Sequence, residues 1–247
     1  MTEINTDHLD KLIAIESSVH YGEPPPPGQL PFIAISHDSP ILISAPHGAR
    51  TFRNSPDEQW HEEDEYTAGM ALLVAELCGA SVITTIWRTD DSDPNYHGEP
   101  RSQYKQTIRR IYNSKKIHWV VDLHGASERT NKMPANYLVD LGSRKAQESI
   151  PRPQLNELER FLAARLGKNT VHHNAFPASE PGRTITAFCH EELELHSVQI
   201  EMKPSVRVPL RRTDATRYSS EGPFVAPADK VIGMMQGLVD FINYLNG

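Results

Sequence analysis

Ile41-Leu42-Ile43-Ser44-Ala45-Pro46-His47-Gly48 is an apolar run that stops at a histidine followed by a glycine, and Trp119-Val120-Val121-Asp122-Leu123-His124-Gly125 repeats the design later in the chain. Short apolar runs with β-branched residues, bounded by Pro or Gly, read as buried strands. A histidine delivered at the carboxyl end of such a strand stands where open α/β sheets place their ligands, because the loops there form a crevice. One such histidine has an ordinary structural explanation. Two copies of strand-His-Gly point to chemistry, and each glycine predicts room for a ligand to approach the backbone.

Working outward, β-rich runs at 32–36, 81–87 and 136–141 predict further strands, as do shorter runs around 170–174, 184–188 and 197–202. Apolar residues at helical spacing predict helices over 6–16, 64–77, 102–113, 155–166 and 228–245. Strands alternating with helices call for an α/β fold: one domain over 1–247, with a central mixed, largely parallel sheet and helices on both faces. Residues 22–31 contain Pro24-Pro25-Pro26-Pro27, which excludes a helix or a central strand there. That segment reads as an extended surface loop; the alternative is a polyproline II ligand for a protein partner.

Of the 247 residues, 38% are hydrophobic and 23% charged, with a formal net charge of -7, the composition of a globular protein. An acidic balance argues against a nucleic-acid partner, which needs a surplus of clustered Lys and Arg; Arg109-Arg110 and the arginines between 207 and 217 are too short to supply it. The two cysteines, Cys78 and Cys189, form no CxxC and no disulfide framework, and Cys78 is expected to face the core from its helix. The opening MTEINTDHLDKL carries acids where a signal peptide needs a basic start, and no apolar run approaches the ~20 residues of a membrane span. The expectation is a cytoplasmic protein acting on a small molecule, with no membrane partner.

No GxGxxG, P-loop, GxSxG or HExxH is present; His61-Glu62-Glu63-Asp64-Glu65 begins like HExxH but lacks the second histidine. Two strand-end imidazoles suit a zinc ion, and a catalytic zinc takes about three protein ligands plus water. The acidic cluster at 62–65 is the natural source of the third ligand. Asp122, two residues before His124 and therefore on the same side of its strand, is a candidate to orient that imidazole, with burial near another charge the equal alternative. Gln199, Glu201 and Lys203 alternate onto one face of another strand, and Glu201 is the candidate base for a hydrolytic water.

In order and spacing these pieces resemble the N-formylglutamate amidohydrolase family. The resemblance runs over 41–203 and is carried by SAPHGAR (44–50), EEDEYTAGMA (62–71), Trp87-Arg88 with Asp93-Pro94-Asn95, VVDLHGA (120–126) and VQIEMK (198–203). That family is similar in fold and chemistry to the zinc carboxypeptidase and aspartoacylase group. The resemblance implies one zinc ion per chain on His47, Asp64 and His124, with Glu63 and Glu65 the neighbouring acids. It implies Glu201 as general base, and Arg88 and Asn95 contacting the substrate or its developing oxyanion. Two departures stand out: Arg50 occupies the position where carboxypeptidases carry their acid, and the family's Asn-Arg pair is Asn95-Tyr96 here. Arg88, Arg101 or Arg183 is then the source of a substrate-carboxylate contact, since tyrosine cannot make arginine's bidentate fork. The implied activity is hydrolysis of a C–N amide bond in a small N-acyl amino acid, N-formyl among them. An aspartoacylase-like deacylase, a small-peptide carboxypeptidase and a non-catalytic binder of small anions are the alternatives.

Overall fold

The computed structural model describes residues 2–53, 60–144, 148–179 and 183–247. Its strands are β1 (Phe32–Ile35), β2 (Ile41–Ala45), the two-residue β3 (Thr51–Phe52) and β4 (Trp60–His61), β5 (Ser81–Thr85), β6 (Trp119–Gly125), β7 (Val139–Gly142), β8 (Val171–His173) and β9 (His196–Met202). The helices are α1 (Thr6–Glu16), α2 (Thr67–Cys78), α3 (Gln103–Ser114), α4 (Arg152–Leu166), α5 (Ile185–Leu193), the four-residue α6 (Pro204–Arg207) and α7 (Tyr218–Glu221), and α8 (Ala228–Asn246). Apart from β3 and β4, which pair with each other, the strands form one sheet in the order β1-β5-β2-β6-β9-β7-β8. Neighbours run parallel except β1 with β5 and β9 with β7. The expected mixed, largely parallel α/β sheet is what the chain builds.

Residue alternation gives the sheet two different faces. Ile41, Ile43, Val121, Leu123, Val198 and Ile200 point into the larger core, which also takes the apolar stripes of α1, α2, α4 and α8. Leu42, Ile83 and Val120 point the other way, against Tyr104 and Ile108 of α3 and Ile185 and Phe188 of α5. Ser44, Asp122, His124, Asp140, Gln199 and Glu201 share that second face by the same alternation, and all of them are buried. Toward the carboxyl ends of β2, β6 and β9, the second face therefore changes from apolar to ionisable. Among the described residues, no helix is long and apolar enough to cross a membrane.

Three elements differ from expectation, each for a local reason. Residues 184–188 begin a helix, α5, because the Thr184 side chain caps it by accepting from Ala187 N at 3.0 Å; the β-branched Thr184, Ile185 and Thr186 have the look of a strand. Helix α2 starts at Thr67 rather than at 64, since Tyr66 takes a left-handed conformation (φ 67°) that frees 62–65 from the helix. Strand β6 continues through Gly125, so His124 lies within the strand rather than past its end. Cys78 is half-buried rather than sealed in the core, and burial pushes its thiol up to about 11.

The turn that opens α2 is fixed from a distance. Glu16, at the end of α1 and fully buried, accepts from Tyr66 N (2.7 Å), Gly69 N (2.7 Å) and the Tyr21 hydroxyl (2.6 Å). Helix N-terminal N–H groups need such acceptors, and no side chain of α2's own N-cap supplies one. Removing this carboxylate strands buried donors at about 1–3 kcal/mol each. Glu16→Ala is therefore expected to cost about 3–5 kcal/mol of stability, read from urea unfolding midpoints; a shift worth less than about 1 kcal/mol would show that water replaces the carboxylate.

Candidate metal centre

Strands β2 and β6 are parallel neighbours, with Ser44 in register with Asp122, which brings His47 and His124 to one end of the sheet. Their rings meet edge to face, with centroids 5.0 Å apart. Between them stands Asp64, fixed by its backbone N–H donating to His47 O at 2.7 Å and by its carbonyl accepting from the Thr67 N–H and hydroxyl. A single carboxylate oxygen, Asp64 Oδ2, lies 3.5 Å from His47 Nδ1 and 3.4 Å from His124 Nδ1. The three ligand atoms all lie within 4.8 Å of one another, and the three residues are buried. Of the four acids at 62–65, Asp64 alone faces the imidazoles. Glu62 pairs with Arg217, Glu63 with Arg50 and the Thr216 hydroxyl, and Glu65 with Arg211.

Each imidazole is held from behind. His47 Nε2 donates to Asp93 Oδ1 at 2.8 Å, and His124 Nε2 donates to Asp122 Oδ2 at 3.2 Å, the orienting contact expected for Asp122. In the neutral ring that tautomer leaves Nδ1 as a lone pair aimed at Asp64. His47 Nδ1 is buried and has no hydrogen-bond partner. Two lone pairs facing a carboxylate oxygen at 3.4–3.5 Å are satisfied by a proton or a cation. Ligand atoms about 2.0–2.1 Å from one tetrahedral ion stand about 3.4 Å apart, so the two spacings to Asp64 Oδ2 fit zinc. The ionisation pattern agrees. Burial works against charge on both rings, but Asp93 and Asp64 raise His47, and Asp122 and Asp64 raise His124 well above the ordinary imidazole value. Burial likewise opposes an ionised Asp64, yet the two histidines hold it well below the usual carboxylate range. A set this rich in carboxylate takes up positive charge.

Glu201 sits one strand further along, in register with His124, and its Oε1 accepts from Gln199 Nε2 at 3.0 Å. Burial pushes its carboxyl up to about 7, with His124 pulling the other way. The alternating face of β9 is buried beneath α5 rather than turned to solvent. Lys203, just beyond the strand, donates to Ala135 O at 3.2 Å.

The residues expected to contact substrate are placed unevenly. Arg88 is engaged by Asp90 through two hydrogen bonds (2.6 and 3.1 Å) and by Gly22 O (3.0 Å), and its guanidinium lies over Trp60. None of these bonds reaches His47, Asp64, His124 or Glu201; Arg88 lines a separate cavity of about 270 Å³ with Pro25, Leu30, Phe32 and Tyr104. Asn95 Oδ1 accepts from Ile185 N at the start of α5. Arg183, exposed, lies 5.2 Å from the Tyr96 ring, and Arg53 lies 6.0 Å from that same ring.

Several neighbours of the site escape a reading of the sequence. Asp93 stands out there only as part of a motif, and Arg53, which donates to Asp93 Oδ2 at 2.6 Å, not at all. His61, which opens the incomplete HExxH, stacks on His47 with ring centroids 3.9 Å apart. Burial and the nearby His47 push it down to about 3, so its neutral ring donates from Nδ1 to Glu62 O. The glycines after the two histidines answer a different need from the one expected. A Cβ on Gly48 would meet Thr85 O at 2.5 Å and Ala68 Cβ at 2.6 Å, and one on Gly125 would meet the Arg207 guanidinium at 2.6 Å. The protein itself fills the space, and no room for a ligand is left beside either backbone.

Asp93 offers a direct probe of the outer carboxylates. Losing a partner of this kind costs a metal site about 10–100-fold in affinity or activity. Asp93→Asn should weaken zinc binding in that range, measured by competition with a chromophoric chelator, and an unchanged affinity would show that His47 needs no such support.

No protein-family model and no curated protein matches the chain. Among solved structures it is similar to N-formylglutamate amidohydrolase from Ralstonia eutropha, at 15% identity and a TM-score of 0.57, covering 87% of this chain and 97% of that one. It is also similar to a gene product of Agrobacterium tumefaciens, at 15% identity and a TM-score of 0.50, covering 88% and 95%. The fold is that of an N-formylglutamate amidohydrolase. In this fold His47, Asp64, His124 and Glu201 gather at the carboxyl ends of the parallel strands, as expected for an open α/β sheet.

Proposed function

We propose that the protein is a metal-dependent hydrolase that cleaves a C–N amide bond in a small N-acyl amino acid. The observation that carries this reading is the convergence of His47 Nδ1, Asp64 Oδ2 and His124 Nδ1, with the ionisable Glu201 on the adjacent strand. Two imidazoles and one carboxylate form a nitrogen and oxygen donor set that favours zinc. A zinc ion held there would lower the pKa of a water and polarise an acyl oxygen.

The chain's own residues account for the remaining steps. Asp93 and Asp122 fix the tautomer and direction of the two imidazoles. Glu201 takes a proton from the attacking water as its oxygen bonds to the amide carbon, then delivers that proton to the departing nitrogen, yielding a carboxylic acid and an amine. Burial of the site keeps bulk water from competing. Arg53 and Arg183, which flank Tyr96 close to Asp93, supply cationic groups where the family's Asn-Arg pair lacks its arginine, and they suit a substrate carboxylate. For Arg88 to serve, it would have to release Asp90.

The test is a panel of N-formyl, N-acetyl and dipeptide substrates with metal analysis of the same protein. Expected are about one zinc per chain, loss of turnover on chelation, recovery on adding zinc, and a preference for substrates with a free carboxylate. Bound zinc with no turnover on any of these, together with saturable binding of small carboxylates, would favour an anion-binding protein instead. Absence of zinc uptake would remove the hydrolase reading altogether.

A further inference from the structure

The ionisable row does not stop at Glu201. Across the antiparallel pair β9 and β7, Glu201 is in register with Asp140, and across β7 and β8 Asp140 is in register with His172. The residues on either side, Val139, Leu141, Val171 and Ile200, pack into the opposite core, so His124, Glu201, Asp140 and His172 form one row over four adjacent strands. Asp140 is fully buried and takes no part in the chemistry described above. An ionised carboxylate in that position costs several kcal/mol unless it is paired and hydrogen-bonded.

Its partners indicate what it does. Asp140 Oδ1 accepts from His172 Nδ1 (2.8 Å) and Ala175 N (2.9 Å), and Oδ2 accepts from Phe176 N (2.9 Å). Both N–H groups belong to a segment that turns back over the sheet through left-handed residues at Asn174 (φ 57°) and Ala178 (φ 51°). The segment is pressed close: a Cβ on Gly142, beside Asp140 on β7, would strike the Phe176 carbonyl. That carbonyl in turn accepts from Gln199 Nε2 at 3.5 Å, while the same nitrogen donates to Glu201 Oε1 at 3.0 Å. The 3.0 Å bond is the strong member of this fork, and the long one sets where the amide nitrogen lies.

We propose that Asp140, anchored by His172 and by the backbone at 175–176, is a positioning residue that sets Gln199 and through it the carboxylate of Glu201. This rests on the reading of Glu201 as the base. The pinned 174–178 segment and the register partner β7 hold Gln199 from two sides, so one oxygen of Glu201 is committed to Gln199 and the other is left for the proton. A base displaced by about 1 Å loses up to ~10²-fold in rate.

The experiment uses the zinc-loaded protein and whichever substrate of the panel is turned over fastest, with Asp140→Asn, Gln199→Leu and His172→Gln compared with the parent. Asp140→Asn and Gln199→Leu should lower kcat by roughly 10–100-fold with KM within about twofold. His172→Gln, which leaves both backbone bonds to Asp140 in place, should lower kcat less. Zinc content should stay at one per chain in all three, and in Asp140→Asn hydrogen exchange over 171–178 should quicken in metal-free protein. On a Glu201→Gln background the same substitutions should add no further loss, because groups that act through one residue are not additive. His173→Gln, whose ring meets Glu159 on the other face, serves as the unaffected control. The His172 arm replaces a partly exposed ring, so it reads even where the buried substitutions fail to fold. An unchanged kcat in the variants that fold, or a full loss that persists on the Glu201→Gln background, overturns the proposal. If Glu201→Gln itself retains turnover, it is the base assignment that has failed.

Discussion

Replacing Glu201 by glutamine is expected to lower kcat by roughly 10²–10⁴-fold while zinc stays bound. Glutamine keeps the shape of the side chain and its bond with Gln199, but it cannot take a proton. Burial lifts the native carboxyl to about 7, close to the pH at which a general base works best. The sign of the pH dependence follows. The carboxyl must be ionised to act, so kcat/KM should rise with pH through its titration, and a bound dication, which favours the carboxylate, places that limb at or below about 7. In Glu201→Gln the limb should disappear. Turnover within a few-fold of the parent, with the limb retained, would assign the base elsewhere.

The second large effect is expected at Asp64. Its single oxygen is the point both imidazoles share, so Asp64→Ala removes one donor and the negative charge between the other two. Loss of an outer partner already costs a metal site about 10–100-fold, and loss of the central carboxylate should exceed ~10²-fold in zinc affinity. Measurable turnover should go with it. The apoprotein should be weakened as well. With Asp64 gone, only Asp93 and Asp122 are left to balance charge on His47 and His124, so Asp64→Ala should be less stable than parent apoprotein, whereas zinc should raise the Tm of the parent and not of the variant. A variant that binds zinc as tightly as the parent would mean that the ion sits elsewhere.

The strands bearing His47, His124 and Glu201 are legible because buried parallel strands advertise themselves as apolar runs, and because parallel topology gathers their carboxyl ends. Asp64 is distinguished from Glu63 and Glu65 only through a resemblance, since nothing in four consecutive acids says which one turns inward; the deciding feature is the left-handed Tyr66. Asp93 appears in the sequence only inside a motif, and His61 only as the start of an incomplete HExxH, neither tied to His47. Their contacts with His47 are made by loops whose course depends on distant packing. Gln199 reads as ordinary polar alternation, and what reverses that reading is a helix packed on β9, α5, that the sequence presents as a strand. The glycines stand out correctly and for the wrong reason: Arg207 and Thr85, which occupy their space, are remote in sequence.

Glu16 braces the turn at 62–66 from one end of the chain, while Arg211 and Thr216 grip Glu65 and Glu63 from the other. The turn that carries Asp64 is thus tied to segments about 50 residues upstream and about 150 downstream. During synthesis it has no finished scaffold until translation has passed Thr216. On the proposed reading, metal capture should therefore come late, once most of the polypeptide has been made, and a fragment ending short of that point should fail to hold an ion however well its sheet has formed.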